Sequence, residues 1–277
     1  MQAVASAPKG IRLRRVLLVS VAVIALGVGL SVLGVDRYFK RLHCQVSDGS
    51  VDELCLRRNE LRASLGPAVY SQYDEELLVR DFFGDARGGF FVDVGAGHYR
   101  DMNMTLFLEE QRGWRGIAVD ANPSFAQGYA EHRPGTKFFA YFVADKAEPA
   151  RPFFLDDAVW ALGSGDKSYL AEAGAKAGLH VHEIAIPSIT LDALLEREGA
   201  TKVDFLSMDI EQGEPAALAG FDINRWKVEL ACIEMQTAVA PVIVEYMQKH
   251  RYVAVKRNAE LDKINTYFAP VGSPRLR

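Results

Sequence analysis

The stretch Phe90-Phe91-Val92-Asp93-Val94-Gly95-Ala96-Gly97 runs a short apolar segment into a glycine turn. Val and Phe in a near-continuous run suit a strand buried on both faces, as in a parallel sheet. The glycines let the backbone turn sharply and come close to a ligand with no Cβ in the way. A lone Gly-x-Gly is weak evidence, so its meaning depends on what the rest of the chain builds around it.

Outward from this strand, similar runs rich in Val, Ile and Phe recur at Gly116–Val119, Lys137–Val143, Phe205–Met208, Leu230–Met235 and Tyr252–Val255. Helical patterns fall between them at Thr105–Glu110, Ser124–His132, Leu191–Arg197, Pro215–Leu218 and Pro241–His250. Strands alternating with helices predict one α/β domain with a mainly parallel, Rossmann-like sheet covered on both faces. Asn265-Thr266-Tyr267-Phe268 is expected to add a final antiparallel edge strand, and Pro152–Lys167 is expected to be a loop.

In such a sheet ligands sit beyond the carboxyl ends of the strands, so the strand ends are the residues to read. A dinucleotide fingerprint needs a third small residue three positions after the second glycine, and Arg100 stands there, which argues against NAD. Asp93, two positions before Gly95, suits a cofactor with an amino-acid end and no pyrophosphate; the plainer reading is a turn cap. Asp120 ends the second strand, where a carboxylate can accept both ribose hydroxyls. Asp145 follows the third strand and is a candidate acceptor for an adenine amino group. The fourth strand runs into Asp209-Ile210-Glu211-Gln212-Gly213-Glu214, three carboxylates in six residues. That crowding is costly without donors or cations nearby, which marks Asp209 and Glu211 as site candidates. Glu214, just before Pro215, is assigned to a helix N-terminus instead. Glu234 could belong to the site or to a salt bridge, and His98 beside the glycine turn could touch ligand or be an ordinary loop residue.

Five blocks in order resemble the FkbM-type S-adenosylmethionine-dependent methyltransferases, over Ser71 to about Pro270. They are Ser71-Gln72-Tyr73-Asp74-Glu75, Phe91-Val92-Asp93-Val94-Gly95-Ala96, Gly113-Trp114-Arg115-Gly116-Ile117 with Val119-Asp120-Ala121, Thr190-Leu191-Asp192-Ala193-Leu194, and Val203-Asp204-Phe205-Leu206-Ser207-Met208-Asp209-Ile210-Glu211. The resemblance implies a class I methyltransferase fold, a seven-stranded sheet whose last strand is antiparallel. It implies S-adenosylmethionine as cofactor, for which Asp93, Gly95, Gly97, Asp120 and Asp145, read above from the strand ends, are the candidate binding residues. It also implies O-methylation of a sugar or natural-product hydroxyl. Asp209 and Glu211, with His98 after them, are then the candidates for removing the acceptor proton, and no metal is required. Gln212 departs from the family, which commonly has a small residue there.

The chain has 277 residues, 49% apolar and 25% charged, with a net charge of −4, and lacks the basic footprint of a nucleic-acid binder. Val16 to Val35 carry no charge and are long enough for a single transmembrane helix, an uncleaved anchor in preference to a signal peptide. A basic tail over 1–15, this anchor over 16–35, a helical stalk over 36–68 capped at Ser50 or Asp52, and a methyltransferase domain over 69–277 make up the expected organisation. Cys44 and Cys55 could form one disulfide in an oxidising compartment, while Cys232 reads as core. Lys9, Arg12, Arg14 and Arg15 nearly balance Arg37, Lys40 and Arg41, so charge barely favours an outward domain. A cytosolic methyl donor favours the opposite side, and the orientation stays open. The anchor points to lipid-linked or membrane-proximal acceptors. The rival from another class is a membrane-tethered binding or trafficking protein that keeps the fold without transfer.

Overall fold

The computed structural model describes residues 52–66, 69–156, 163–174, 180–257 and 259–276. The expected tail, the apolar run at 16–35, most of the stalk and Cys44 lie outside the described residues. Among the described residues no helix is long and apolar enough to cross a membrane. Of Met1–Glu60, the first of two units into which the chain divides, only residues 52–60 are described. Helix α1 (Glu53–Leu65) begins there, capped by Asp52, whose Oδ1 accepts from the Leu54 and Cys55 amides at 3.0 and 3.4 Å.

Within Leu61–Arg277, helix α2 (Glu75–Phe83) leads into β1 (Phe90–Val94), then α3 (Leu106–Arg112), β2 (Arg115–Asp120), α4 (Ala126–His132) and β3 (Thr136–Ala140). A smaller insertion follows, with β4 (Phe142–Val143), β5 (Glu148–Asp156), β6 (Gly163–Ser164), α5 (Lys167–Gly174) and β7 (Val181–Ile189). The chain then returns through α6 (Leu191–Arg197), β8 (Phe205–Met208), α7 (Glu214–Ala219), β9 (Leu230–Glu234), α8 (Ala240–Lys249), β10 (Tyr252–Ala254) and β11 (Asn265–Pro270). The main sheet has seven strands in the order β10-β11-β9-β8-β1-β2-β3. β1 lies between β2 and β8 and is parallel to both, with Val94 level with both Val119 and Met208. This is the class I methyltransferase arrangement, Rossmann-like and mostly parallel.

Local signals explain most of these elements. Thr190 caps α6 by accepting the Ala193 amide at 3.1 Å, and Leu191, Leu194 and Leu195 are fully buried against the sheet. Burying each such leucine stabilises the fold by about 1.5–3 kcal/mol. Helix α2 is less legible because its buried face carries charge: Glu76 and Arg80 form an ion pair, 1% and 2% exposed. A binary apolar pattern does not register a buried pair of this kind.

Three expectations are corrected. The strand expected over Lys137–Val143 is two strands: β3 ends at Ala140, and β4 pairs instead with β7 in a separate four-stranded sheet of order β4-β7-β5-β6. The Tyr141 amide, bonded to Asp120 O at 3.1 Å, marks the handover. The segment Pro152–Lys167 is not a plain loop, since β5 runs to Asp156 and β6 follows, antiparallel to it. Finally, β11 is not an edge strand. It inserts antiparallel between β9 and β10, which buries Tyr267, Phe268 and Ala269.

Candidate functional site

Strand order reverses at β1, where β2 and β8 leave in opposite directions along the sheet, and the carboxyl ends of these three strands open on a cavity of about 540 Å³. Backbone bonds lock the ends together: Gly95 N to Val119 O at 2.9 Å, and Asp209 N to Val94 O at 3.0 Å. Gly95 has φ +77°, and a Cβ there would lie 1.8 Å from Asp209 O, so no other residue fits the turn.

One side of the cavity is built from the glycine turn and Asp120. The Asp120 carboxylate accepts the Gly97 amide at 2.9 Å on Oδ2 and the Asn122 amide at 2.7 Å on Oδ1. Each oxygen keeps a second lone pair, and the residue lines the cavity. Burial pushes its pKa up to about 6, opposed by the two amides and reinforced by Asp93. Phe125, Phe142 and Val143 add apolar surface nearby, Phe142 arriving from the second sheet. His98 also lines the wall; its Nδ1 accepts the Asp101 amide at 3.0 Å, which leaves the proton of the neutral ring on Nε2.

Two of the expected cofactor residues are placed elsewhere. Successive side chains of a strand alternate in direction, and Asp93 is buried away from the cavity lining, its Oδ2 accepting the Thr105 hydroxyl at 2.9 Å. Arg133, also fully buried, donates to Thr105 Oγ1 at 3.2 Å and to Glu109 at 2.6 Å. Asp93 thus belongs to a polar network that fixes α3 and α4 to the sheet. Asp145 is exposed and does not line the cavity, because the chain has already crossed into the second sheet.

The other side of the cavity carries acids. Asp209 and Glu211 both line it. Asp209 is accessible from the cavity while protein surrounds it. Its pKa is raised well above the usual carboxylate range, first by burial and then by Glu234, Glu211 and Glu214. Glu211 is held from behind: Tyr169 of α5 donates to its Oε2, and Gln236 Nε2 lies 2.8 Å from the same oxygen and 2.8 Å from Glu234 Oε2. Glu211 and Gln212 are left-handed, with φ of +53° and +73°, a geometry that suits glycine and concentrates at functional sites. Glu214 is the first residue of α7, as its assignment to a helix N-terminus required, and its Oε1 accepts the Ile210 amide at 3.0 Å. Tyr169 and Gln236 were not found by reading the sequence. Neither carried a local signal, since Gln236 lies beyond the end of β9 and Tyr169 belongs to the insertion.

Among the described residues no Lys or Arg lines the cavity, and no group of acids, histidines and cysteines could hold a metal ion. The donor set fits S-adenosylmethionine on its own terms. The Cβ-free turn admits a ligand against the backbone, Asp120 offers two acceptors for ribose hydroxyls, and the aromatic surface suits a base.

The model of the FkbM methyltransferase domain matches residues 93–254, more than half of the chain. No curated protein matches. Among solved structures, the chain is similar to a TehB-like S-adenosylmethionine-dependent methyltransferase from Corynebacterium glutamicum at 13% identity and TM-score 0.42, over 78% of this chain and 95% of that one. It is also similar to a methyltransferase FkbM from Methylobacillus flagellatus at 13% identity and TM-score 0.43. That match spans 80% of this chain and 63% of the other, so the chain covers less than two thirds of that relative's length. Because the FkbM domain model spans more than half of the chain, the chain belongs to the FkbM methyltransferases, and its cofactor is S-adenosylmethionine.

Proposed function

We propose that this chain transfers a methyl group to a hydroxyl oxygen of an uncharged sugar or natural product. The observation that carries the reading is that Asp209 and Glu211 line the same cavity as the glycine turn and Asp120. A sugar hydroxyl is a weak nucleophile, and a carboxylate within hydrogen-bond reach removes its proton as the new bond forms. Bound in this cavity, the cofactor supplies a methyl already activated on a sulfonium, so the protein's task is alignment and proton removal. Tyr169 and Gln236 hold Glu211 in place, and the absence of lysine and arginine from the described wall disfavours phosphorylated acceptors.

The apolar run over 16–35 is proposed as a single-pass membrane anchor, with 36–68 as its stalk and 69–277 as the methyltransferase domain. On that reading the acceptor is lipid-linked or lies near a membrane. The test is incubation of the full chain with methyl-labelled S-adenosylmethionine and panels of neutral glycosides and glycolipids. Label in a base-stable ether supports the proposal. Label released by mild base is a methyl ester and would overturn hydroxyl as the acceptor. Resistance of the full chain to alkaline extraction from membranes checks the anchor.

A further inference from the structure

The block Ser71-Gln72-Tyr73-Asp74-Glu75 leads into α2 and reaches the cavity, where Gln72 lines the wall with His98, Asp101 and Met102. Buried side chains tie its backbone down. Glu76 Oε2 accepts the Tyr70 amide at 2.7 Å, Glu75 Oε2 accepts the Tyr73 amide at 2.7 Å, and Ser71 Oγ accepts the Glu76 amide at 3.2 Å. Asp74 is paired with Arg62 of α1, and Glu76 with Arg80. Ser71, Asp74, Glu75 and Glu76 are each at most 6% exposed. A parallel bridge from Ser71 to Met102 joins this strap to the loop that follows the glycine turn. Three buried carboxylates around so short a segment add little net stability; they fix the position of what the segment carries. Gln72 is exposed, and its one hydrogen bond among the described residues is a marginal contact of 3.5 Å from Nε2 to the Tyr73 hydroxyl.

The strand ends place Gln72 along the ligand. Phe125 and Phe142 offer the surface for the base and Asp120, at the end of β2, the acceptors for the ribose, so the amino-acid end of the methyl donor lies by β1. The wall at β8 holds Asp209 and Glu211, and Gln236 bridges Glu211 to Glu234 at 2.8 Å to each. Those carboxylates repel another one. The opposite wall, where the loop after β1 meets the strap, holds a single acid, Asp101, whose side chain is 68% exposed and screened by water. With no Lys or Arg on the described lining, a ligand carboxylate must be met by neutral donors, and on this wall the side chains that supply them are Gln72 and His98.

We propose that the Gln72 amide donates to the carboxylate at the amino-acid end of the methyl donor, and that the strap over 70–76 holds it in place to do so. The inference rests on S-adenosylmethionine being the cavity's ligand. Gln72 then distinguishes the complete cofactor from adenosine thioethers that lack the carboxylate, although it lies outside residues 93–254, which the family model matches.

The experiment is isothermal titration of the full chain with S-adenosylhomocysteine and with its decarboxylated analogue, which keeps the adenosine, the thioether and the ammonium. No acceptor is needed. Gln72→Ala is expected to weaken S-adenosylhomocysteine by roughly tenfold to a hundredfold, the loss of one hydrogen bond to a charged group, and to leave the analogue unchanged. Gln72→Glu sets a negative charge against the carboxylate and is expected to weaken S-adenosylhomocysteine further without weakening the analogue. Equal losses with both ligands, or no loss with either, overturn the proposal and leave the cofactor assignment standing. Tighter binding of S-adenosylhomocysteine by Gln72→Glu also overturns it, by putting the ammonium there instead. Binding of neither ligand by the wild-type chain overturns the cofactor assignment, and the proposal with it.

Discussion

The two sides of the cavity use the same residue type under opposite conditions. Asp120 sits at the end of β2 with a backbone amide on each oxygen, at 2.9 and 2.7 Å. Asp209, two strands away at the end of β8, faces other carboxylates instead. Both are pushed toward protonation by burial, but only Asp120 has fixed donors that favour its charged form. A carboxylate held by one rigid amide on each oxygen, with a lone pair left on both, is suited to hold a ligand; one crowded by acids is suited to exchange a proton. The physical difference lies in what surrounds each group, not in its chemistry.

The comparison can be broken most severely at the residue joining its two sides. Gly95→Ala would put a Cβ 1.8 Å from Asp209 O at a left-handed position, so the β1 turn or the β8 end must move. We expect S-adenosylmethionine binding to be lost, with a lower melting temperature, by calorimetry on the purified chain; retained affinity would show that the turn is not the cradle we describe. Asp209→Asn sharpens the proton-exchange side. Loss of a general base typically costs about 10²–10⁴ in rate, and the expected result is that loss with nearly unchanged affinity for S-adenosylhomocysteine. Equal loss of both would move Asp209 into the cofactor shell.

On the holding side, Asp120→Ala should weaken binding of S-adenosylhomocysteine by about 1.5–3 kcal/mol, because charge-assisted hydrogen bonds are lost and the Gly97 and Asn122 amides lose their acceptor. The wild-type side chain also gives a pH signature. Its folded pKa of about 6 lies above the ordinary carboxylate value, so between those two values the folded state holds the extra proton. This group's contribution to stability is therefore greatest at acid pH and falls as pH rises through about 6. Ligand hydroxyls favour the ionised form, so affinity for S-adenosylhomocysteine should rise across the same window. The Asp120→Asn variant should lose that contribution to the slope; an unaltered slope would remove Asp120 from the ribose role. The smallest effect is expected at Gln212→Gly. Relief of a left-handed non-glycine residue, offset by greater freedom of the unfolded chain, should stabilise by at most ~1 kcal/mol.

Legibility varied with how local each feature is. The bounds of β1, β8 and α6 follow from the apolar run or from the Thr190 cap, and the structure has them where the pattern puts them. Asp120, Gly95, Gly97, Asp209 and Glu211 could be named because a strand end followed by a polar residue is a local pattern. The four-stranded sheet was missed because β5 carries Pro152 and charged residues, and its pairing with β7 joins segments distant in sequence. Helix α2 was missed because three of its buried positions are charged, Glu75, Glu76 and Arg80.

What the sequence by itself determined is the alternation of strands and helices, the glycine turn and the run of acids after β8, since these depend only on spacing along one segment. The tertiary structure alone decided which of those residues meet. It turned Asp93 into a network with Thr105 and Arg133, left Asp145 in solvent, and set Tyr169 and Gln236 behind Glu211. The reason is physical: direction and distance across a sheet depend on strand order and register. Those are fixed by burial and hydrogen bonding among segments far apart in the chain, which no local pattern records.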